Sequence, residues 1–152
     1  MEKVRRSGWI SEYSFTQRRE ERKENSMNEN ELSKIALDVA FRIHKELGPG
    51  LFESVYKAIM AYELVHEYDL NIQRQRPIPV VWKEVKLELG FRSDLIIEDK
   101  LIVEIKSIET LAPVHAKQLL TYLRLTNIKL GLLINFNKEL LKNGIRRVVN
   151  NL

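Results

Sequence analysis

Apolar residues recur at helical spacing in two segments that precede the predicted strands. In the first segment, 32–47, four side chains form a single apolar stripe, which comprises Ala36, Ala40, Ile43 and Leu47. The sequence GPG at 48–50 ends this helix, because proline lacks a backbone donor and glycine tolerates unusual dihedral angles. The following stretch, LFESVYKAIMAYELVHEY, then predicts a second helix.

Four apolar stretches farther along have the length and composition of β-strands, namely IPVVW, VKLEL, FRSDLII and LIVEIKS. Pro77, Pro79 and Gly90 bound the first two. After Pro113, VHAKQLLTYLRLT predicts a helix and KLGLLINF a further strand, and the short segment GIRRVVN allows one more. The predicted order is therefore α, α, β, β, β, β, α, β, with room for a final strand.

The first 26 residues differ from the rest, because they show no sustained helical or strand period and end in a dense mixed-charge run. Met27 then opens MNENELSKIALD, where Asn28 or Asn30 is a candidate helix cap, so translation starting at Met27 is one interpretation. We expect 1–26 to be a tail, either disordered or an extension from the choice of start codon, and 27–152 to form the domain. An interaction arm is the alternative, since aromatic residues lie among arginines in this stretch.

Composition favours one compact domain, since 152 residues with 44% apolar and 30% charged positions are an ordinary globular balance. Without cysteine there is no thiolate metal site, so a metal would need oxygen or imidazole ligands. The net charge of +4 is spread along the chain and permits polyanion binding without demanding it. No apolar segment approaches the roughly 20 residues that span a bilayer, and we expect a cytoplasmic protein.

The stretch RSDLIIEDKLIVEIKS, from 92 to 107, predicts a β-hairpin with charges among its aliphatic residues. A three-residue turn at 98–100 would place Asp94 opposite Glu104. Side chains alternate between the faces of a strand, so one face would be polar and the other apolar. The polar face comprises Arg92, Asp94, Glu104 and Lys106, and the apolar face comprises Leu95, Ile97, Leu101, Val103 and Ile105.

Two carboxylates on neighbouring strands suggest a metal site. At about 4 Å they repel by something like 4 kcal/mol near a protein surface, and a cation would offset this. Mg²⁺ is typically held by one or two carboxylates, waters and substrate phosphate oxygens, which Asp94 and Glu104 fit. Lys106 would then position a water or offset phosphate charge, which indicates metal-assisted phosphodiester hydrolysis. An amphipathic hairpin with ordinary surface ion pairs is the alternative.

A polar stripe is predicted on the helix after the hairpin, where His115, Gln118 and Tyr122 recur at i, i+3 and i+7. Gln118 is a candidate for orienting a water, and His115 for contacting phosphate or transferring a proton. A hydrogen-bonded imidazole and a packed tyrosine are the alternatives. In the second helix, Glu53 lies in the first turn, where capping explains a carboxylate as well as a role at the site does.

Together the motifs GLFESVY, FRSDLII, LIVEIKS, HAKQLLTYLRLTNIKLGLLINF and GIRRVVN resemble, in order and spacing, those of the GxxExxY proteins, a group within the PD-(D/E)XK nuclease superfamily. The resemblance runs from about Met27 to Leu152 and leaves out the tail. It implies an α/β fold with a three-layer, restriction-endonuclease-like core, αβββαβ, in which helices flank a mixed sheet.

By motif position, the resemblance implies that Asp94 and Glu104 bind Mg²⁺ or Mn²⁺ and that Lys106 assists the nucleophile. Gln118 would belong to the motif on the following helix, and Glu53 would be the acid from the first core helix. The implied activity is a divalent-metal-dependent nuclease, with DNA ahead of RNA as substrate. A non-catalytic nucleic-acid or protein binding module with the same fold is the alternative, and a structural subunit is a third.

The expected partner is therefore nucleic acid and not a membrane. Candidate contacts to it are Arg92, His115, Arg124, Arg146 and Arg147, with Lys57, Arg74 and Arg76 as further basic residues. Such contacts would weaken steeply with salt. A homodimer would suit a cutter of duplex DNA, because one small domain presents one site.

Overall fold

The computed structural model describes residues 26–87 and 90–152, together with the isolated positions Gln17 and Glu21. The predicted tail at 1–26 therefore lies almost wholly outside the described residues. Its interpretations as a disordered segment, a start-codon extension or an interaction arm stay predictions.

Three α-helices occur in the described residues: α1 (Glu29–Leu47), α2 (Glu53–His66) and α3 (Pro113–Thr126). A short 3₁₀-helix follows at Leu141–Gly144. Of the two candidate caps, Asn28 is the N-cap of α1. Its Oδ1 accepts from Glu31 N at 2.9 Å, and Glu31 Oε2 accepts from Asn28 N at 2.9 Å. None of the described helices is both long and apolar enough to cross a membrane.

Seven strands occur in the same residues: β1 (Ile72–Pro77), β2 (Val80–Trp82), β3 (Val85–Leu87), β4 (Arg92–Ile97), β5 (Leu101–Lys106), β6 (Leu130–Asn135) and β7 (Ile145–Val149). Five of them form one sheet in the order β1-β4-β5-β6-β7. The pairing is antiparallel except between β5 and β6, which are parallel and joined through α3. The helix order and the mixed sheet agree with the predicted αβββαβ core.

The first strand of the sheet was not predicted from the sequence. The segment IPVVW contributes only β2, which pairs with β3 in a separate two-stranded ribbon, and the end of the predicted strand VKLEL, 88–89, lies outside the described residues. The first strand of the sheet is instead β1, with the sequence IQRQRP. Its polar composition hid it, because an edge strand is held by backbone pairing with one neighbour and tolerates exposed polar side chains.

Helices cover both faces of the sheet. Helices α1 and α2 pack on one face, against apolar side chains that include Leu95, Val103 and Ile105. Helix α3 packs on the other face, where it buries Ile96 and Ile102. Both central strands, β5 and β6, are therefore almost continuously apolar, as expected for strands buried on two sides.

Helix α3 approaches the sheet closely at one point. Gly131 of β6 lies beneath Leu119, and a Cβ atom at this glycine would come within 2.9 Å of the leucine side chain. The absence of a side chain there lets α3 lie against the sheet, which brings its polar stripe next to β5.

Candidate active site

Backbone pairing between β4 and β5 stops at the predicted acidic pair. The hairpin has the predicted register, with Ile97 opposite Leu101, and the pairing continues to Leu95 and Val103. At the next position, hydrogen bonds from backbone N–H groups to side-chain carboxylates replace the backbone pairing of the two strands. Asp94 N donates to Glu104 Oε1 at 3.1 Å, and Ile105 N donates to Asp94 Oδ2 at 2.8 Å.

The pairing on the other side of β4 is interrupted at the same residue. Gln75 of β1 would stand opposite Asp94, but the paired residues on either side are Arg74 with Leu95 and Arg76 with Ser93. Gln75 has a φ of 51°, a left-handed conformation that costs a non-glycine residue roughly 1–3 kcal/mol. Its Nε2 lies 3.4 Å from Asp94 Oδ1. The sheet is thus open on both sides of Asp94.

Both carboxylates are buried, with Asp94 at 6% and Glu104 at 8% exposure. Burial first, and then the charge of Asp94, raises the pKa of Glu104 to about 8. The backbone hydrogen bond from Asp94 and the charge of Lys106 act in the opposite direction. The protonated form of Glu104 is therefore favoured at neutral pH, and positive charge beside the pair would favour the ionised form.

Lys57 supplies part of that charge. Its Nζ lies 2.8 Å from Asp94 Oδ1 and 3.8 Å from Glu53 Oε2, and the side chain is 18% exposed. The sequence predicted Lys57 only as a phosphate contact. Its spacing of four residues from Glu53 was the available signal that the two share a helix face.

Glu53 reaches from α2 to the end of β5. It is the first residue of its helix, and its Oε1 accepts from Ser107 N at 3.3 Å. The carboxylate lies across Lys57 from Asp94 and does not join the acidic pair. In the described part of the chain, no three or more His, Cys, Asp and Glu side chains are grouped so that they could hold a metal ion. The candidate metal ligands are therefore the two predicted acids, Asp94 and Glu104.

The end of β5 is fixed by a residue that sequence reasoning missed. Asn135 stands opposite Lys106 on β6 and is fully buried. Its Oδ1 accepts from Ile108 N at 3.1 Å, and its Nδ2 donates to Ile108 O at 2.9 Å. These bonds fix the backbone just beyond Lys106, a half-buried residue close enough to Glu104 to lower its pKa. A polar residue ending an aliphatic strand was the only sequence signal.

Part of the polar stripe on α3 lies near the acids. Burial and then the charges of Glu104 and Asp94 raise the pKa of Tyr122, whereas a hydrogen bond with Gln118 lowers it. Gln118 is exposed, and its side chain faces solvent. His115 has a structural role, because its Nδ1 accepts from Ala112 N at 3.0 Å at the start of the helix.

The predicted arginine contacts are exposed but do not form one surface. Arg92 begins β4, and Arg124 lies in the last turn of α3. Arg146 on β7 and Glu104 on β5 both lie opposite Leu133 of β6, so the spacing of strands separates them by about 10 Å. Arg147 faces the other side of the sheet and donates to Asn30 Oδ1 at 2.6 Å. Nucleic-acid contacts by these residues stay predictions.

A model of the PD-(D/E)XK nuclease superfamily matches residues 30–148, a range that contains both acids, Lys106 and Gln118. No curated protein and no solved structure matches the chain.

The buried Glu104 predicts that stability falls as the pH rises. Its folded-state pKa lies above the ordinary value of 4.5, so between those two values the folded protein holds a proton that the unfolded chain releases. We expect the free energy of unfolding to fall by on the order of 3 kcal/mol from about pH 5 to about pH 8, measured by urea denaturation in a metal chelator.

Glu104→Gln removes the titrating group, so the free energy of unfolding of this variant should depend much less on pH. The exposed Glu109→Gln, which makes the same charge change, should keep the wild-type slope. Identical slopes in wild type and Glu104→Gln would show that burial does not shift this carboxyl.

Proposed function

Because the chain belongs to the PD-(D/E)XK nuclease superfamily, we propose that it is a divalent-metal-dependent nuclease with its site at Asp94, Glu104 and Lys106. The observation that carries the proposal is the pair of buried carboxylates at the opening of the sheet, with Lys106 beside them. Membership of the GxxExxY group is a finer proposal, supported by the motif GLFESVY. The cytoplasmic location and the homodimer stay predictions.

The donor set suits a hard cation. Asp94 and Glu104 offer only oxygen ligands, and the raised pKa of Glu104 indicates a site that additional positive charge would stabilise. Mg²⁺ or Mn²⁺ would be held by these two carboxylates, and when bound it would polarise the scissile phosphate and acidify a coordinated water. Two carboxylates leave the other ligand positions to waters and phosphate oxygens, which is usual for Mg²⁺.

The surrounding side chains have distinct roles in this proposal. Lys106 orients the attacking water or offsets charge that develops on the phosphate. Gln118, which is exposed and hydrogen-bonds Tyr122, orients the same water. Glu53 acts indirectly, since it accepts a hydrogen bond from Ser107 N and forms an ion pair with Lys57, which also pairs with Asp94.

DNA is the proposed substrate, with RNA as the alternative. The exposed Arg92, Arg124 and Arg146 are proposed phosphate contacts, and they predict binding that weakens with salt. The superfamily supports a nucleic-acid substrate in general.

A non-catalytic binding module is the second candidate function, and one observation favours it. The Lys57 ammonium already offsets Asp94 at 2.8 Å, as it would in a site that had no further cation to bind. Metal binding therefore separates the two candidates.

Substitution of the acidic pair tests catalysis. We expect Asp94→Asn and Glu104→Gln each to reduce metal-dependent cleavage by at least about 100-fold, because each removes a charge that holds the cation. Metal-dependent cleavage by Lys106→Met should fall by a similar factor. Cleavage is measured on labelled duplex and single-stranded DNA and RNA with Mg²⁺ and Mn²⁺.

Glu109→Gln is the matched control and should cleave at the wild-type rate, because this glutamate is exposed and plays no part in the proposed site. Circular dichroism establishes that each variant is folded. Cleavage that survives all three site substitutions would place the reaction elsewhere.

Substitution of Lys57 tests metal binding without turnover. Because its ammonium faces Asp94, it should oppose a divalent ion at the same carboxylate. We expect Lys57→Met to bind Mn²⁺ at least about tenfold more tightly by isothermal titration in the absence of nucleic acid.

The exposed Lys45→Met, on α1, is the control and should match wild type. Equal affinity in Lys57→Met and wild type would contradict the competition. Failure of every protein to take up Mn²⁺, even with nucleic acid present, would favour the non-catalytic module.

A further inference from the structure

An exposed aromatic ring stands next to the proposed nuclease site. Phe52 is 83% exposed and immediately precedes Glu53. It occupies the N-cap position of α2, but its side chain contributes no capping hydrogen bond. The phenyl ring at this position thus neither packs in the core nor caps the helix.

The loop that carries Phe52 is held in place at several points. Tyr56 Oη donates to Gly48 O at 2.6 Å and accepts from Leu51 N at 3.2 Å. The Tyr56 ring is fully buried and stacks on Phe136, with centroids 4.3 Å apart and an angle of 10° between the planes. The tyrosine of the GLFESVY motif thus ties the loop to the core.

A second tie comes from the end of β5. Ser107 Oγ donates to Leu51 O at 2.6 Å, and Ser107 N donates to Glu53 Oε1 at 3.3 Å. Leu51, through its backbone, and Glu53, through its side chain, are thereby tied to the residue that follows Lys106. These ties limit backbone motion at Phe52, which lowers the entropy cost of ordering the ring on binding.

A cavity of about 550 Å³ opens beside this ring. Its lining consists of Gly50, Leu51, Phe52, Glu53, Ser54, Ser107 and Asn137. The volume lies within the range of small-ligand sites. None of these lining residues is a lysine or an arginine, so the cavity suits an uncharged planar group better than a phosphate.

We propose that Phe52 stacks on an unpaired nucleobase of the substrate while the adjoining phosphate lies at the acidic pair. Glu53 and Ser107 belong to the cavity and also connect to the site, so a nucleotide next to the cleaved bond is the group within reach. Bases within a duplex have their faces covered by their neighbours, whereas an unpaired base offers a face to an aromatic side chain. The substrate class is therefore single-stranded nucleic acid or an unpaired end, an inference that rests on the proposed nuclease function.

The test measures binding rather than cleavage. Fluorescence anisotropy in a metal chelator compares a labelled single strand with a blunt duplex of the same sequence. Loss of one base-stacking contact predicts that Phe52→Ala binds the single strand about 10- to 100-fold more weakly. Binding of the duplex should change by less than about twofold, because only the terminal bases of the duplex have an uncovered face.

Two further variants make the result specific to stacking. Phe52→Trp should restore single-strand affinity, because an indole ring stacks at least as well as a phenyl ring. Phe41→Ala, which removes a 43% exposed phenylalanine from α1, should bind both substrates like wild type. Light scattering on the same proteins reports whether Phe52 instead lies between two copies of the chain.

Each outcome decides the proposal. Equal weakening on both substrates, or none on either, would overturn it, as would a dimer that dissociates in Phe52→Ala without a change in single-strand binding. Phe52-dependent binding of a single strand that is never cut in the cleavage assay would refute the nuclease function and leave the stacking contact standing. Metal-dependent cleavage, together with single-strand binding that Phe52→Ala does not change, would do the reverse. Absence of binding to both substrates in the chelator would refute the stacking contact.

Discussion

The local loss of sheet pairing at Asp94 is the constraint on which the rest of the site depends. Two buried carboxylates can occupy neighbouring strands only if their oxygens find donors, and each takes one from the opposite strand, from Asp94 N and from Ile105 N. The carboxylate oxygens thereby accept the hydrogen bonds that backbone carbonyls accept in a regular sheet. The left-handed Gln75 and the close approach of Lys57 lie at the same opening, where burial and the charge of Asp94 raise the pKa of Glu104. Strain and buried charge concentrated in this way are typical of functional sites.

The second helix connects this opening to the rest of the molecule. Its buried face fixes α2 against the sheet, and three of its side chains then act at or next to the site. Lys57 faces Asp94, whereas Tyr56 holds the preceding loop against the core. Glu53 accepts a hydrogen bond from the backbone after β5. The GLFESVY segment and the adjoining Lys57 thus form one structural unit, in which the helix positions the Lys57 ammonium and the loop positions an aromatic ring.

Sequence reasoning predicted the features that depend on local geometry. A three-residue turn fixed the register of the hairpin, and alternation then placed Asp94 and Glu104 on one face. The same reasoning failed for features that depend on how distant segments pack together. Strand β1 is polar because it lies at the sheet edge, and Asn135 was missed because its partners, the backbone groups of Ile108, come from another segment. Lys57 was predicted to face phosphate, since only the docking of α2 brings it to Asp94.

In the proposed site, Asp94 and Glu104 together hold a divalent ion at the opening of the sheet. Anomalous scattering from crystals grown with Mn²⁺ would locate the ion itself. We expect one manganese peak within roughly 2.2 Å of an oxygen of each carboxylate, with the Lys57 ammonium moved away from Asp94. A peak elsewhere, or two carboxylates that point to different sides of the sheet with no ion between them, would contradict it.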